Sequence, residues 1–200
     1  PLPGGEFYHF GTTPELIAST TALQNVVKDQ RLILQREIKR HPSIFTQNAR
    51  VEYHFDKSQE NIWVENSHLP TSWQLQRNHV ITGVPENNWS LHLEAGQCID
   101  IVAMDEDGWA IRPYGFDDAF RGAIANSATK YLGLPMTDWI AAHNITAKDL
   151  GGDETDLQAA KLFPICKDVS QIESLLAWML SEKPTEDYSA IFCALPRLSA

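Results

Sequence analysis

Residues 62–82 read IWVENSHLPTSWQLQRNHVIT and place a large apolar side chain at every sixth position. The members of this frame are Trp63, Leu69, Leu75 and Ile81. The spacing continues in both directions, with breaks at Lys57, Asn87 and Asp105, through Phe45, Val51, Leu93 and Ile99. A six-residue period is typical of a hexapeptide-type parallel β-helix, in which each short strand points one large residue into the core. The pattern predicts such a β-helix over residues 43–116.

A second architecture fits the same residues. Short alternating runs such as Trp73-Gln74-Leu75 and Leu91-His92-Leu93 are also typical of an antiparallel sandwich or barrel. The period alone leaves both β architectures open.

Helical patterns flank this β-rich region. From Pro14 to about Arg40, apolar residues recur at helical spacing and predict a linking helix, at Leu16, Leu23, Val27, Leu34 and Ile38. Residues 117–200 read as helical, with capping signals at Ser170 and Glu173 and a helix stop at Gly151. We expect these C-terminal helices to cover the end of the β-helix, which would otherwise expose unpaired edges.

Composition narrows the function. The chain carries 16 basic and 26 acidic residues, a formal net charge of -10 that disfavours nucleic acid and anionic membranes as partners. It has no apolar run of membrane-spanning length and no signal peptide, and it begins with proline. Its three cysteines are far apart, so a disulfide framework is not expected. We expect a segment of a longer cytoplasmic protein.

The N-terminal residues FYHFGTTPEL, numbers 7–16, predict an aromatic strand, a Gly-Thr turn and a helix. Thr12 and Glu15 have the spacing of a capping box, and Pro14 lies in the first helical turn. A helix N-terminus at a strand end suits an anion such as phosphate. His9, Gly11 and Thr12 are therefore candidate binding residues.

Two blocks of sequence carry a resemblance to a known family. Residues 7–16 resemble the element that closes the catalytic domain of sugar-phosphate nucleotidyltransferases, in the form found in fucose-1-phosphate guanylyltransferases. Residues 81–118, which include ITGVPENNW and IRPYGFDD, are similar to the bacterial bifunctional L-fucokinase/GDP-L-fucose pyrophosphorylases. The resemblance covers roughly residues 4–199.

The resemblance implies a fold and a parent reaction. Such enzymes phosphorylate L-fucose with ATP in a kinase domain and couple fucose-1-phosphate to GTP in a guanylyltransferase domain, with Mg²⁺ accompanying both nucleotides. It favours a left-handed parallel β-helix over the antiparallel alternative, in a mainly β chain with a linking helix before it and helices capping it. Residues 1–42 would end the guanylyltransferase domain, 43–116 form the β-helix, and 117–200 form the helical cap and lead toward the kinase domain.

The chain has no glycine-rich nucleotide loop, because Gly4-Gly5 and Gly151-Gly152 are isolated pairs without a following Lys-Ser/Thr. We therefore expect neither reaction to be catalysed by this segment alone and no cofactor to bind it. No histidine or cysteine pair has metal-ligand spacing, so no metal site is predicted.

Two groups of residues are candidates for contacting substrate. By the resemblance, His9 takes the place of a metal-binding aspartate near the sugar phosphate, although it would equally serve to orient the turn. The second group is a dense polar and aromatic cluster that would suit a hydroxyl-rich sugar or another domain, and it comprises Arg112, Tyr114, Asp117 and Asp118. Asp117 would equally cap a following helix and pair with Arg112 or Arg121.

Two other classes of function remain open. Six tryptophans would suit a carbohydrate-binding β module, with Trp63 and Trp139 in the core and Trp89 and Trp109 as the exposed candidates. The segment would otherwise be a structural scaffold that holds the guanylyltransferase and kinase domains and offers a face for homo-oligomers.

Overall fold

Four parallel strands stacked side by side form the first face of a β-solenoid. The computed structural model describes residues 7–26, 43–105 and 108–200. The four strands are β1 (Ile44–Gln47), β3 (Ile62–Glu65), β6 (His79–Thr82) and β8 (Gln97–Ala103). Each is paired in parallel with the next. The prediction of a parallel β-solenoid is confirmed, and the antiparallel sandwich is wrong.

Shorter strands complete each coil. On one side β2 (Arg50–Val51) pairs in parallel with β4 (His68–Leu69), and on another β5 (Gln74–Leu75) pairs in parallel with β7 (His92–Leu93). The bends between strands need left-handed backbone, which asparagine and glycine adopt most easily. Six such residues recur at matching places in successive coils: Asn48, Asn66 and Gly83 at one bend, and Asn61, Asn78 and Gly96 at another. Asparagine side chains also bond along these columns, from Asn48 to Asn66 at 2.6 Å and from Asn61 to Asn78 at 3.0 Å.

The coils differ in length by one residue, and this decides which side chains face inward. Ile81 pairs with Ile99, eighteen residues later, but with Val64, seventeen residues earlier. A one-residue shift in a strand moves its side chains to the opposite face. Ile62 and Val64 are therefore fully buried inside the solenoid, and Trp63 is on its outer face. The prediction that Trp63 is a core residue is wrong for this reason, whereas Leu69, Leu75, Ile81, Leu93 and Ile99 are core residues as the frame predicts.

Beyond β8 the sheet changes to antiparallel pairing. Strand β9 (Trp109–Gly115) forms a hairpin with β8, and β12 (Phe163–Cys166) and β13 (Arg197–Leu198) extend the sheet to seven strands in the order β1-β3-β6-β8-β9-β12-β13. The prediction of a purely helical segment after residue 117 is wrong here. The apolar run Phe163-Pro164-Ile165-Cys166 is short enough for a strand, and the free edge of β9 gives it a partner.

Short helices and a small hairpin make up the rest of the C-terminal segment. The hairpin joins β10 (Lys130–Tyr131) to β11 (Leu134–Pro135). The helices are α2 (Met136–Ala142), α3 (Ala147–Leu150), a 3-10 helix (Leu157–Ala159), α4 (Val169–Leu180) and α5 (Ser189–Ala194). A capping box of Thr146 and Asp149 begins α3. The cap of α4 is Asp168, which accepts from the amide of Ser170, and not the predicted Ser170 and Glu173 pair.

Helix α4 packs beside the solenoid and shares its core. Its residues Ile172, Leu175 and Met179 belong to the same apolar cluster as Ile81 and Ile99. Gln97 at the start of β8 donates a hydrogen bond from its side chain to the carbonyl of Leu180 at 2.7 Å. Among the helices and strands described, no helix is long and apolar enough to cross a membrane.

Helix α1 (Thr13–Val26) packs on the outer face of the seven-stranded sheet. Its Ile17 is 2% exposed and lies in a cluster with Val80, Cys98 and Phe116, to which Phe45, Trp63 and Tyr114 are added at the border. The later part of the predicted linking helix, including Leu34 and Ile38, lies outside the described residues. The outer face of the sheet is thus covered where its side chains are apolar.

The outer face carries a polar row two residues further along the strands. Its members are paired across successive strands and are Gln47, Glu65, Thr82, Asp100 and Arg112. Because side chains alternate between the two faces of a strand, the outer face carries an apolar row, which α1 covers, and a separate polar row that ends at Arg112.

Replacing Gly83 by alanine is expected to destabilise the protein much more than the same change at Gly96. Both glycines have positive φ, which costs alanine on the order of 1 kcal/mol. A Cβ at Gly83 would also lie 2.0 Å from the carbonyl oxygen of Ile101, whereas a Cβ at Gly96 meets nothing within 4 Å. Urea unfolding should show a loss of more than about 3 kcal/mol for Gly83→Ala and about 1 kcal/mol for Gly96→Ala. Equal losses would contradict the close stacking of these coils.

His79 is expected to stay neutral in the folded protein until strongly acidic pH. Burial lowers the pKa of His79 to about 4, although its hydrogen bond with the carbonyl of Gln97 acts in the opposite direction. The unfolded chain takes up this proton near pH 6.5, so acidification from about pH 6.5 to 4 should remove stability, on the order of 3 kcal/mol from this group. An NMR titration of the imidazole C–H signals should find no protonation of His79 above about pH 5. A midpoint near 6.5 would show that this side chain is not buried in the solenoid.

Candidate functional site

The N-terminal turn is organised by the carboxylate of Glu15. It accepts a hydrogen bond from the amide of Gly11 at 3.1 Å and lies 2.9 Å from Nδ1 of His9. The amide of Glu15 in return donates to the hydroxyl of Thr12 at 3.4 Å. The hydrogen bond with His9, followed by that with Thr12, lowers the pKa of Glu15. The predicted capping pair is confirmed, but its carboxylate binds the amide one residue before Thr12.

This arrangement changes the prediction of an anion site at the turn. The amide of Gly11 and the ring of His9 are both engaged by Glu15, whose negative charge lies at the helix N-terminus where a phosphate was expected. Residues 7–10 also form no strand, because no neighbouring strand among the described residues pairs with them. The geometry of the turn therefore favours a role in starting helix α1 over a role in binding phosphate.

Arg112 on β9 is held by the polar row of the outer face. Its guanidinium pairs with Asp100 at 3.1 Å, and Asp100 also accepts from the hydroxyl of Thr82 at 2.7 Å. The guanidinium lies over the ring of Phe163 at 5.2 Å. Its Nε–H is buried and has no hydrogen-bond partner in the described structure. The predicted pairing of Asp117 with Arg112 is wrong, because Arg112 pairs instead with Asp100, its cross-strand neighbour on β8.

Asp118 ties together two segments of backbone. Its carboxylate accepts from the amides of Gly115 and Leu132, both at 2.7 Å, and of Gly133 at 3.1 Å. A Cβ at Gly115 would lie 2.6 Å from this carboxylate, so the residue before the turn must be glycine for it to approach. Asp118 therefore fixes the end of β9 against the β10–β11 hairpin. Its neighbour Asp117 is exposed, and no helix begins there, so its predicted capping role is wrong.

Tyr114 connects the two groups of candidate residues. Its side chain hydrogen-bonds with that of Thr13 at the start of α1, and its ring borders the cluster around Ile17. Burial, followed by the nearby Cys98 and Asp100, raises the pKa of Tyr114, so its hydroxyl stays protonated. Burial likewise raises the pKa of Cys98 to about 12, which makes this thiol unreactive at neutral pH.

The candidate residues line two adjoining pockets. The first, which we call the Arg112 pocket, has a volume of about 500 Å³ and is lined by Thr13, Arg112, Tyr114, Asp118, Phe120, Gln158, Phe163 and Ala200. The second, the turn pocket, has a volume of about 610 Å³ and is lined by Phe10, Gly11, Thr12, Thr13, Pro14, Leu16, Phe116, Asp117, Asp118 and Ala119. Thr13 and Asp118 belong to both linings. All the predicted residues except His9 are thus brought together.

Sequence reasoning missed five residues of the Arg112 pocket: Thr13, Phe120, Gln158, Phe163 and Ala200. The apolar run at residues 163–166 could have marked Phe163 as a strand residue. No signal in the sequence places Gln158 beside Arg112, because the two are joined only through the packing of the C-terminal segment.

The tryptophans do not form an exposed platform of the predicted kind. Trp89 is 3% exposed and stacks on Trp73 with ring centroids 6.5 Å apart, so its prediction as an exposed sugar-binding residue is wrong. Trp109 is half-buried, and Trp139 is fully buried as predicted. Within the described ranges, no group of three or more His, Cys, Asp or Glu side chains is arranged to hold a metal ion.

Comparison with known proteins identifies relatives. The family model described as the fucose pyrophosphorylase domain matches residues 1–168. A Bacteroides fragilis protein described as L-fucokinase/L-fucose-1-P guanylyltransferase is 44% identical over 200 residues, which are 100% of this chain and 21% of that protein. The chain thus spans about a fifth of the length of this relative. No solved structure matches it.

Removing the Asp118 carboxylate is expected to destabilise the chain, whereas removing that of Asp117 is not. Asp118→Ala leaves three backbone amides without their charged acceptor, at a cost of about 2–4 kcal/mol. Asp117→Ala, the matched control at an exposed position, should change the free energy of unfolding by less than about 0.5 kcal/mol. Urea unfolding of both variants checks this. Similarly small changes in the free energy of unfolding would contradict the structural role of Asp118.

Proposed function

Since the chain belongs to the fucose pyrophosphorylase family, we propose that it is a non-catalytic segment of a longer enzyme that makes GDP-L-fucose. That enzyme would form fucose-1-phosphate from L-fucose and ATP, and then GDP-L-fucose and pyrophosphate from fucose-1-phosphate and GTP. The names of the family and of the Bacteroides fragilis relative support both steps.

One observation carries the role of this segment. Helix α1 is docked on the outer face of the sheet through Ile17, and Thr13 and Asp118 are shared by the turn pocket and the Arg112 pocket. The N-terminal turn and the solenoid therefore present one continuous surface. In the proposal, this surface borders the substrates of the guanylyltransferase, with Gly11, Thr12, Arg112, Tyr114, Asp117 and Asp118 as contacts or supports.

In this proposal, other parts of the enzyme bind the nucleotides and their Mg²⁺. A hard cation needs several oxygen ligands, and the carboxylates of Asp100, Asp118 and Glu15 are engaged by Arg112, by backbone amides and by His9, respectively. We propose His9 only as a weaker additional contact, because it lines neither pocket and is held by Glu15.

Several finer features belong to the same proposal. By resemblance to the family, the solenoid would be left-handed, and the C-terminal helices would cap it and lead toward the kinase domain. The enzyme would work in the cytoplasm, and a side face of the solenoid would be free for homo-oligomers. A carbohydrate module built on Trp89 is not advanced further, because that ring is buried.

The test is GDP-L-fucose formation from fucose-1-phosphate and GTP by the full-length parent enzyme. We expect Arg112→Ala to lower kcat/KM at least tenfold, about 1.4 kcal/mol of transition-state stabilisation, in an enzyme that still folds. His9→Ala should have a smaller effect, since Glu15 still holds the turn through Gly11. Arg121→Ala, at an exposed arginine outside both pockets, is the control. Normal activity in all three variants would reduce the segment to a scaffold.

A further inference from the structure

The charge around the Arg112 pocket argues against a phosphate ligand. Among the described residues that line it, Arg112 brings a positive charge and Asp118 a negative one, and Asp100 pairs directly with Arg112. Two carboxylates and one guanidinium thus lie in or beside this pocket, and Asp117 lines the adjoining turn pocket. A phosphate dianion would add like charge to this excess, in a chain whose formal net charge is already -10.

The same groups suit an uncharged ligand that is rich in hydroxyl groups. A hydroxyl can donate to a carboxylate and accept from a guanidinium at the same time. Arg112 has a buried Nε–H without a partner in the described structure, and the protonated hydroxyl of Tyr114 and the exposed side chain of Gln158 add further polar groups.

The walls and size of the pocket agree with a small ring. Tyr114 and Phe120, which are half-buried, contribute apolar aromatic surface against which the C–H face of a sugar ring can pack, whereas Phe163 is 2% exposed and lies beneath the Arg112 guanidinium. The volume of about 500 Å³ falls within the range of small-molecule pockets.

We propose that the Arg112 pocket binds the uncharged ring of a monosaccharide, and not a phosphate group. Arg112 and Gln158 hydrogen-bond to its hydroxyls, and Tyr114 and Phe120 pack against it. Asp118 is a positioning residue, since backbone amides occupy its carboxylate and it holds the loop that carries Phe120. The choice of L-fucose as the sugar rests on the proposed function, whereas the preference for a neutral ring does not.

The experiment is saturation-transfer NMR of the purified chain with L-fucose, with inorganic phosphate as competitor. We expect a saturable L-fucose signal that an equal concentration of phosphate leaves unchanged. Arg112→Met should raise the dissociation constant at least tenfold. Arg121→Met, at an exposed arginine that lines neither pocket, should change it less than twofold.

A second variant controls for misfolding, because Arg112→Met leaves Asp100 without its charged partner. Gln158→Ala changes an exposed side chain at the pocket and should raise the dissociation constant severalfold without changing urea unfolding. Three results would each overturn the proposal: displacement of L-fucose by phosphate, no L-fucose signal from the folded chain, or wild-type affinity for L-fucose in both the Arg112→Met and Gln158→Ala variants. If L-fucose binds as expected but the parent enzyme with Arg112→Ala makes GDP-L-fucose normally, the proposed contact with the guanylyltransferase substrates fails and this inference stands.

Discussion

The inward stacking of Val64, Ile81 and Ile99 is the constraint on which the rest of the structure depends. These three side chains form one buried column even though the coils that separate them contain seventeen and eighteen residues. Once the column is fixed, strand alternation decides the outer face as well. Trp63, Val80 and Cys98 must then point outward, and so must the polar row that ends in the Asp100–Arg112 pair.

The candidate site follows from this outer face. Its apolar row would be exposed to water if Ile17 of α1 did not cover it, and burying that side chain contributes about 1.5–3 kcal/mol. The docking of α1 brings Thr13 to Tyr114 and the turn to Asp118. The Asp118 carboxylate then holds the loops that complete the walls. Packing of apolar side chains thus places the polar groups, and the hydrogen bonds of Asp118 and Asp100 set their orientation.

The sequence suggested a β-solenoid because interior positions such as Leu69, Ile81 and Ile99 repeat at a fixed spacing, and the family resemblance favoured it over an antiparallel sandwich. It misplaced Trp63 because a shortened coil is invisible to a fixed period, and a single residue reverses the direction of a strand side chain. It missed β12 because that strand forms only where the edge of β9 is available, which is a tertiary condition. The cluster at Arg112, Tyr114, Asp117 and Asp118 was predicted from its density in the sequence. The partners that give Arg112 and Asp118 their roles, Asp100, Phe163 and Gly133, lie elsewhere in the chain and are brought to them by the fold.

The most direct test of this account is an NMR measurement of the contact between α1 and the sheet. Nuclear Overhauser effects should connect the methyl groups of Ile17 with the ring of Phe116 and the methyls of Val80, since all three side chains are almost fully buried in one cluster. Random-coil shifts for Ile17, with none of these effects in a folded chain, would contradict the account, because the turn and the solenoid would no longer form one surface.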